Sequence, residues 1–320
     1  MTSLRAASAV LVMVSALAVF SAGQEQSPAA PPAADPAASA AKPETKLDLT
    51  PDSNGRLSQE QMQSLLRVVA DKDMENDKLL RDYTYTEHDI QKTLNGKGQT
   101  KSTETKTYDV LEIYGEQVQK LIAKDDKPLD EKDAAKEDEK IQKIIDKRKN
   151  ESDEDRKKRE AKEEKEHEDD RAFIRDVADA YNFTLVGTES LNGREAWVID
   201  GEPRPDFVPH AKDAKYLTKF HGRVWIDQSD LQLAKLNVEA LDNISWGLFL
   251  ARFHKGSHFM LEQTRVNDEV WLPLHVTYKI DARLALLKGI DVDGEQTFQD
   301  YKKFRTSSKI VSVQAVPSSQ

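Results

Sequence analysis

"EVWLPLHVTYKID", Glu269 to Asp281, alternates apolar and polar side chains for eleven residues, from Val270 to Ile280. Val270, Leu272, Leu274, Val276, Tyr278 and Ile280 fall on one side, and Trp271, Pro273, His275, Thr277 and Lys279 on the other. A period of two predicts a strand with one face on a core or cavity and the other on water or an edge.

The same pattern recurs on both sides of this stretch. "TKFHGRVWIDQ", "QLAKLNVEALD", "GSHFMLEQTRV" and "EQTFQDYKKF" read as further strands, with "NFTLVGTESL" and "REAWVIDGEP" before them as a hairpin about Asn192-Gly193. Nearer the N-terminus, "RDYTYTEHDIQKTL" and "TKSTETKTYDVLEIYG" flank "NGKGQ", and "EQVQKLIAKDDKPL" supplies a third strand ending at Asp125 to Lys127. Asn95-Gly96, Asn267-Asp268 and Asp293-Gly294 read as turns, because Asn, Asp and Gly tolerate the positive φ that tight turns need. No strand-helix-strand unit of the parallel kind is visible, so the sheet is expected to be antiparallel.

The 320 residues are not all fold. Met1 to Gly23 read as a secretory signal, with Arg5 before the short apolar core "AVLVMVSALAVF" and "SAG" for cleavage. A Pro/Ala-rich tether follows, over 24–56, and the folded domain is placed at 57–306 with a tail at 307–320. "LSQEQMQSLLRVVA" opens that domain as a helix capped by Ser58 and Gln61, with Met62, Leu65, Leu66 and Val69 as its apolar stripe.

From Asp130 to Arg171 the chain carries 18 acidic and 14 basic residues and neither Gly nor Pro. Glu139/Lys143, Asp153/Lys157, Glu154/Lys158 and Asp155/Arg159 are spaced to pair on helical faces. Two charged helices are expected, broken near Asn150 and restarted by Ser152, forming a solvated arm. At its far end Phe173, Ile174, Val177, Ala178 and Tyr181 make a stripe that must be buried.

Net charge is -10 and the sequence pI about 5.3, which argues against nucleic acid as a partner. Without cysteine there is no disulfide, thiol nucleophile or thiolate metal site, and export of such a chain suits a periplasm.

In order and spacing, Gly222/Trp225/Ile226/Asp227, then Lys235, then "MLEQT", Trp271/Leu272/Pro273 and Tyr301/Lys303/Phe304 resemble the outer-membrane lipoprotein-sorting family, the LolA/LolB-like proteins. The resemblance spans Tyr83 to Phe304, and the charged insertion departs from the family pattern. It implies an α+β fold: a curved antiparallel sheet forming an unclosed barrel, with helices against the concave face and an apolar cavity that shields acyl chains. On that reading Val224, Ile226, Leu236, Val238, Trp246, Leu248, Leu272, Leu274, Val276, Tyr278 and Ile280 line the cavity. Phe173, Ile174, Val177 and Tyr181 belong to a lid helix.

Chemistry-bearing motifs are sparse. His254 and His258 in "HKGSH" lie four apart but across Gly256, not on a continuous helix, so no metal is expected there. "DVDGEQ", Asp291 to Gln296, reads as a hairpin turn rather than a calcium loop, and no "GxSxG" appears. "ISWGLFLARF", Ile244 to Phe253, is apolar on both faces and suits a core or a cavity mouth. The expected function is a periplasmic, monomeric, non-catalytic carrier or binder of lipid or lipoprotein acyl chains, without cofactor and with transient membrane contact. The alternative is an envelope sensor or scaffold that binds a partner protein.

Overall fold

Each alternating segment folds back on a neighbour through a tight turn. The computed structural model describes residues 47–54, 56–211, 213–246, 251–284 and 288–304; the signal Met1 to Gly23, most of the tether and the tail lie outside the described residues. The strands are β1 (Tyr83–Leu94), β2 (Thr100–Ile113), β3 (Glu116–Lys124), β4 (Lys127–Pro128), β5 (Tyr181–Leu191), β6 (Arg194–Pro203), β7 (Phe220–Asp227), β8 (Leu233–Ala240), β9 (Ile244–Trp246), β10 (Ala251–Phe253), β11 (His258–Val266), β12 (Val270–Leu284) and β13 (Lys288–Lys303). They form one curved antiparallel sheet in an α+β architecture, in the order β4-β3-β2-β1-β13-β12-β11-β8-β7-β6-β5, with β9 and β10 as a side hairpin on β12. The sheet does not close, and β4 and β5 are its two edges.

Turn chemistry sets these hairpins. Tyr114-Gly115, Asp125-Asp126, Asn192-Gly193 and Asn267-Asp268 all have paired positive φ values, the twist that fits two-residue connections between right-twisted strands. In the β1-β2 hairpin the expected Gly96 is not the special residue. The positive φ falls at Gly98, while the Asn95 side chain accepts from the Lys97 and Gln99 amides. Asp293-Gly294 is not a turn either: it lies in mid-strand in β13, opposite Lys279 and Tyr278.

Helix α1 (Gln59–Leu80) starts at the expected capping box, with Ser58 accepting from the Gln61 amide and Gln61 accepting from that of Ser58. Its buried Met62, Leu65 and Val69 cover Ile199 of β6 and Ile226 of β7, which makes this the inner, concave face of the sheet. Leu47 and Leu49, ahead of the expected start at Leu57, pack against the same cluster. Near the other end, buried Asn76 donates to the Trp271 carbonyl and accepts from its amide, both at 2.6 Å, so the helix is bonded to β12 as well as packed on the sheet.

The charged insertion forms α2 (Glu131–Lys149) and α3 (Asp153–Ala180), broken at Asn150 and restarted by Ser152 as its spacing predicts. At 28 residues α3 is about 42 Å long. The pair carries the chain from one open edge, β4, to the other, β5. The expected solvated arm needs correction, because α2 packs on the outer face of the sheet. Ile141 is buried against Ile113 and Val118, with Ile144 and Ile145 beside it. Isoleucines at i, i+3 and i+4 make a narrow stripe that the surrounding charge conceals. Glu139-Lys143 and Glu154-Lys158 pair as expected, at 2.6 and 2.8 Å, but Asp153 pairs with Arg156, and Arg159 with Glu151. The far end of α3 is tied to α1, where Gln59 donates to the carbonyls of Ala178 and Tyr181.

Ile141→Ala is therefore expected to cost about 2 kcal/mol in denaturant unfolding, the low end for a buried isoleucine at an edge cluster. Lys143→Ala, which removes an exposed pair, should cost no more than about 0.5 kcal/mol. Equal, negligible effects of the two would show α2 to be free of the sheet.

Candidate functional site

The inner face is the candidate site, and cross-strand register defines it. Val224, Leu236, Leu261 and Val276 stand in one row across β7, β8, β11 and β12, and Gly222, Val238, Phe259 and Tyr278 in the next. Both rows face the same side because register partners share a face.

The sequence-predicted wall is divided among three clusters. Leu236, Val238, Val276, Tyr278 and Ile280 join one that also holds Phe259 and Phe298, with Val276 only 1% exposed. Val224 and Ile226 belong to the cluster under α1. Leu272 packs with Leu80, Tyr83 and Val270 at the end of β12. Between them the strict alternation breaks: His275 pairs with Glu262 and Pro273 with Gln263, leaving Leu274 as the extra residue of a bulge, half-buried. Trp246 ends β9, but its side chain and Leu248 lie outside the described residues.

Of the residues expected on a lid helix, Phe173, Ile174 and Val177 lie on α3, but Tyr181 is the first residue of β5, because the helix ends at Ala180. Phe173, Val177 and Tyr181 pack against Ala214 and Leu217 of a short 3-10 helix (Ala214–Lys219), and Ile174 is half-buried. Among the described residues, none of α1, α2 or α3 enters the Val276 cluster.

Tyr278 meets the inner wall in a way the sequence did not disclose. Its ring lies directly over Gly294, where a Cβ would come within 2.1 Å of the ring. Glycine is required there for this close approach.

Beyond Tyr278 the inner face turns polar. Glu87 of β1 is 3% exposed, and its two carboxyl oxygens accept from Gln119 at 2.8 Å and Gln296 at 3.0 Å. Burial, then the neighbouring Asp89 charge, push its pKa up to about 8 despite the Gln119 bond. Burial also raises Asp89, and one of its oxygens has no partner within the protein. Tyr108 of β2 is raised by burial and by these two carboxylates. The sequence reading missed this island. Its one signal was that Tyr85, Glu87 and Asp89 stand two apart and share a strand face.

The family-like motif residues act mostly as fasteners. Asp227, 1% exposed, accepts both arms of the Arg194 fork at 2.7 and 2.8 Å and the amides of Ser229 and Asp230. Burial pushes the Asp227 carboxyl up, but Arg194 and the backbone amides outweigh it and hold it below the usual carboxylate range. Lys235 lies over the Trp225 ring at 5.1 Å, Tyr301 donates to the Pro273 carbonyl, and Lys303 pairs with Glu269 at 2.6 Å. His254 contacts Asp281 at 2.8 Å, while His258 starts β11.

No protein-family model and no curated protein matches the chain. Among solved structures it is similar to a domain assigned to outer membrane lipoprotein sorting in Vibrio parahaemolyticus (11% identity, 76% of this chain and 95% of that one, TM-score 0.32). It is also similar to a DUF1329 family protein of Desulfovibrio piger (8%, 78% and 95%, TM-score 0.27) and to a LolA superfamily protein of Nitrosomonas europaea (11%, 79% and 97%, TM-score 0.24). With TM-scores this low the fold assignment rests on the strand order and register above.

The buried carboxyl pair predicts a pH dependence. With Glu87 raised from 4.5 to about 8, the native state binds more protons than the unfolded chain between those values. The stability this group contributes is complete below the unfolded value and is lost as pH rises through the folded one. Glu87→Gln should therefore melt higher than the natural protein at about pH 9 and nearly level with it at about pH 4. A parallel shift at both would place the carboxyl in water.

Proposed function

We propose that this chain is a non-catalytic binder of acyl chains, working in the cell envelope as a carrier of lipids or lipidated proteins. The observation that carries the reading is a seam in the inner wall. Gly201 and Gly222 are cross-strand partners on β6 and β7; the rings of Phe183 and Tyr181 cover Gly201, while a Cβ at Gly222 would meet no atom within 4 Å, so the open space lies at Gly222. The seam runs between the α1-covered cluster at Val224 and Ile226 and the Val276 cluster at Phe220 and Val238. An acyl chain laid there would touch apolar side chains on both sides, and each CH₂ removed from water gains about 0.8 kcal/mol. Binding of that kind needs no reacting group.

Val224, Leu236 and Val238 are the proposed contacts from the strands, and α1 is the proposed lid, since it already covers this face at Ile199 and Ile226. The described residues contain no helix long and apolar enough to cross a membrane. An envelope location follows from the signal-like N-terminus and stands as part of the proposal.

Gly222→Phe tests the seam. The backbone there is ordinary extended strand with room beyond it, so the variant should melt close to the natural protein. It should bind a fluorescent fatty acid at least about tenfold more weakly, a loss of about 1.4 kcal/mol. Thr277→Phe, on the opposite face of β12, should bind as the natural protein does. Failure of the natural protein to take up the probe, or full binding by Gly222→Phe, would sink the reading.

A further inference from the structure

The Arg194-Asp227 fork borders a cavity of about 150 Å³ on which the acyl-chain reading makes no demand. The cavity opens where β8 and β11 part. Their pairing ends at Glu262 and Lys235, while β11 runs on to Val266 beside β12. Leu191, Ala196 and Ala234 provide apolar lining, and Arg194, Gln263 and Trp271 provide the groups that select a ligand.

Two of those groups have bonding capacity that the protein does not use. Gln263 is 4% exposed, and its Oε1 has no partner within the protein. A buried carbonyl oxygen in that state lowers stability unless a donor reaches it. Arg194 spends Nε and Nη2 on Asp227 and Asp230, so that Nη1 carries the remaining donors. The guanidinium is held by both carboxylates and lies 5.4 Å over the Trp271 ring, whose Nε1 donates to Asp230 at 2.9 Å. It therefore has little freedom to turn elsewhere, and the donor is set in place before any ligand arrives.

From this arrangement we propose that the cavity is a binding site for a small planar carboxamide. Its carbonyl accepts from Arg194 Nη1, its N–H donates to Gln263 Oε1, and its carbon stem lies against Leu191, Ala196 and Ala234. An amide carries donor and acceptor in one plane, which is what the two unused groups require. A carboxylate would set a second oxygen against the Gln263 carbonyl. An ammonium would stand beside the guanidinium with nothing for Nη1 to donate to. Charge disfavours the carboxylate, because Arg194 and Arg265 stand with three carboxylates, Asp227, Asp230 and Asp268, and it offers the ammonium little, because the odd carboxylate, Asp268, is 95% exposed to water.

The probe is acetamide, titrated into the full-length protein while the Trp271 indole N–H is followed by ¹H-¹⁵N NMR, with acetate and methylammonium as matched controls. So small a ligand is weak, and saturation is expected below about 100 mM. The controls should be at least about tenfold weaker, the ratio one misplaced hydrogen-bonding group produces. Gln263→Met keeps the volume and removes the amide, so the indole signal should persist but no longer respond to acetamide. N-acetyl-asparagine methylamide separates the sources: tighter binding than acetamide assigns the site to a partner's side chain, and weaker binding to a free small amide. A response shared equally by all three small probes, no saturable shift, or an unaltered response in Gln263→Met would each overturn the proposal.

Discussion

The pairing of β1 with β13 is the constraint on which the rest of the molecule depends. Ten register pairs, Tyr83↔Lys303 to Thr93↔Val292, join the first strand to the last. Without them the hairpins β1-β4 and the strands from β5 onward would be two separate sheets linked by a charged arm. Closing a loop of this length carries an entropic cost that grows only slowly with length. Continuous backbone pairing and the apolar contacts of Tyr85 with Phe298 and Tyr301 offset it. Such non-local pairing also predisposes the chain to slow folding.

That pairing has two consequences for the inner face. It places Glu87 and Asp89 of β1 beside Gln296 of β13, making a buried polar island at one end of an otherwise apolar wall. It also leaves β4 and β5 as edges on opposite sides of the opening, with α2 and α3 carrying the chain between them. The insertion is therefore part of how the unclosed sheet is held. One end is fixed by the isoleucine stripe of α2, and the other by the bonds between Gln59 and the end of α3.

Inner and outer faces are organised by different forces. The inner face packs aromatic and branched side chains, with open space at Gly222 beside the rings that cover Gly201. Around the Asp227 end, charge does the fastening: Arg194 and Arg265 meet Asp227, Asp230 and Asp268 and tie three hairpin turns together. Of these groups only Asp227 is fully buried, and removing Arg194 would leave its charge without compensation. Their geometry serves here to hold neighbouring turns in register.

The sequence by itself determined what depends on neighbours along the chain. The hairpins at Asn192-Gly193 and Asn267-Asp268, the capping box at Ser58, the break between Asn150 and Ser152 and the antiparallel alternation were all legible, because turn and cap chemistry is local. Tertiary structure decided the rest. Position 294 is glycine because the ring of Tyr278, its partner on the neighbouring strand, occupies the space a Cβ would need, and it lies in mid-strand because the pairing of β12 with β13 runs on past it. Leu274 falls at a bulge against β11 that breaks the period of its strand, and Val224 and Leu272 fall into different clusters because α1 and Tyr83 reach them from elsewhere. Glu87 is an ordinary polar strand residue until β3 and β13 enclose it. These outcomes depend on which strand lies beside which, and no local pattern encodes that.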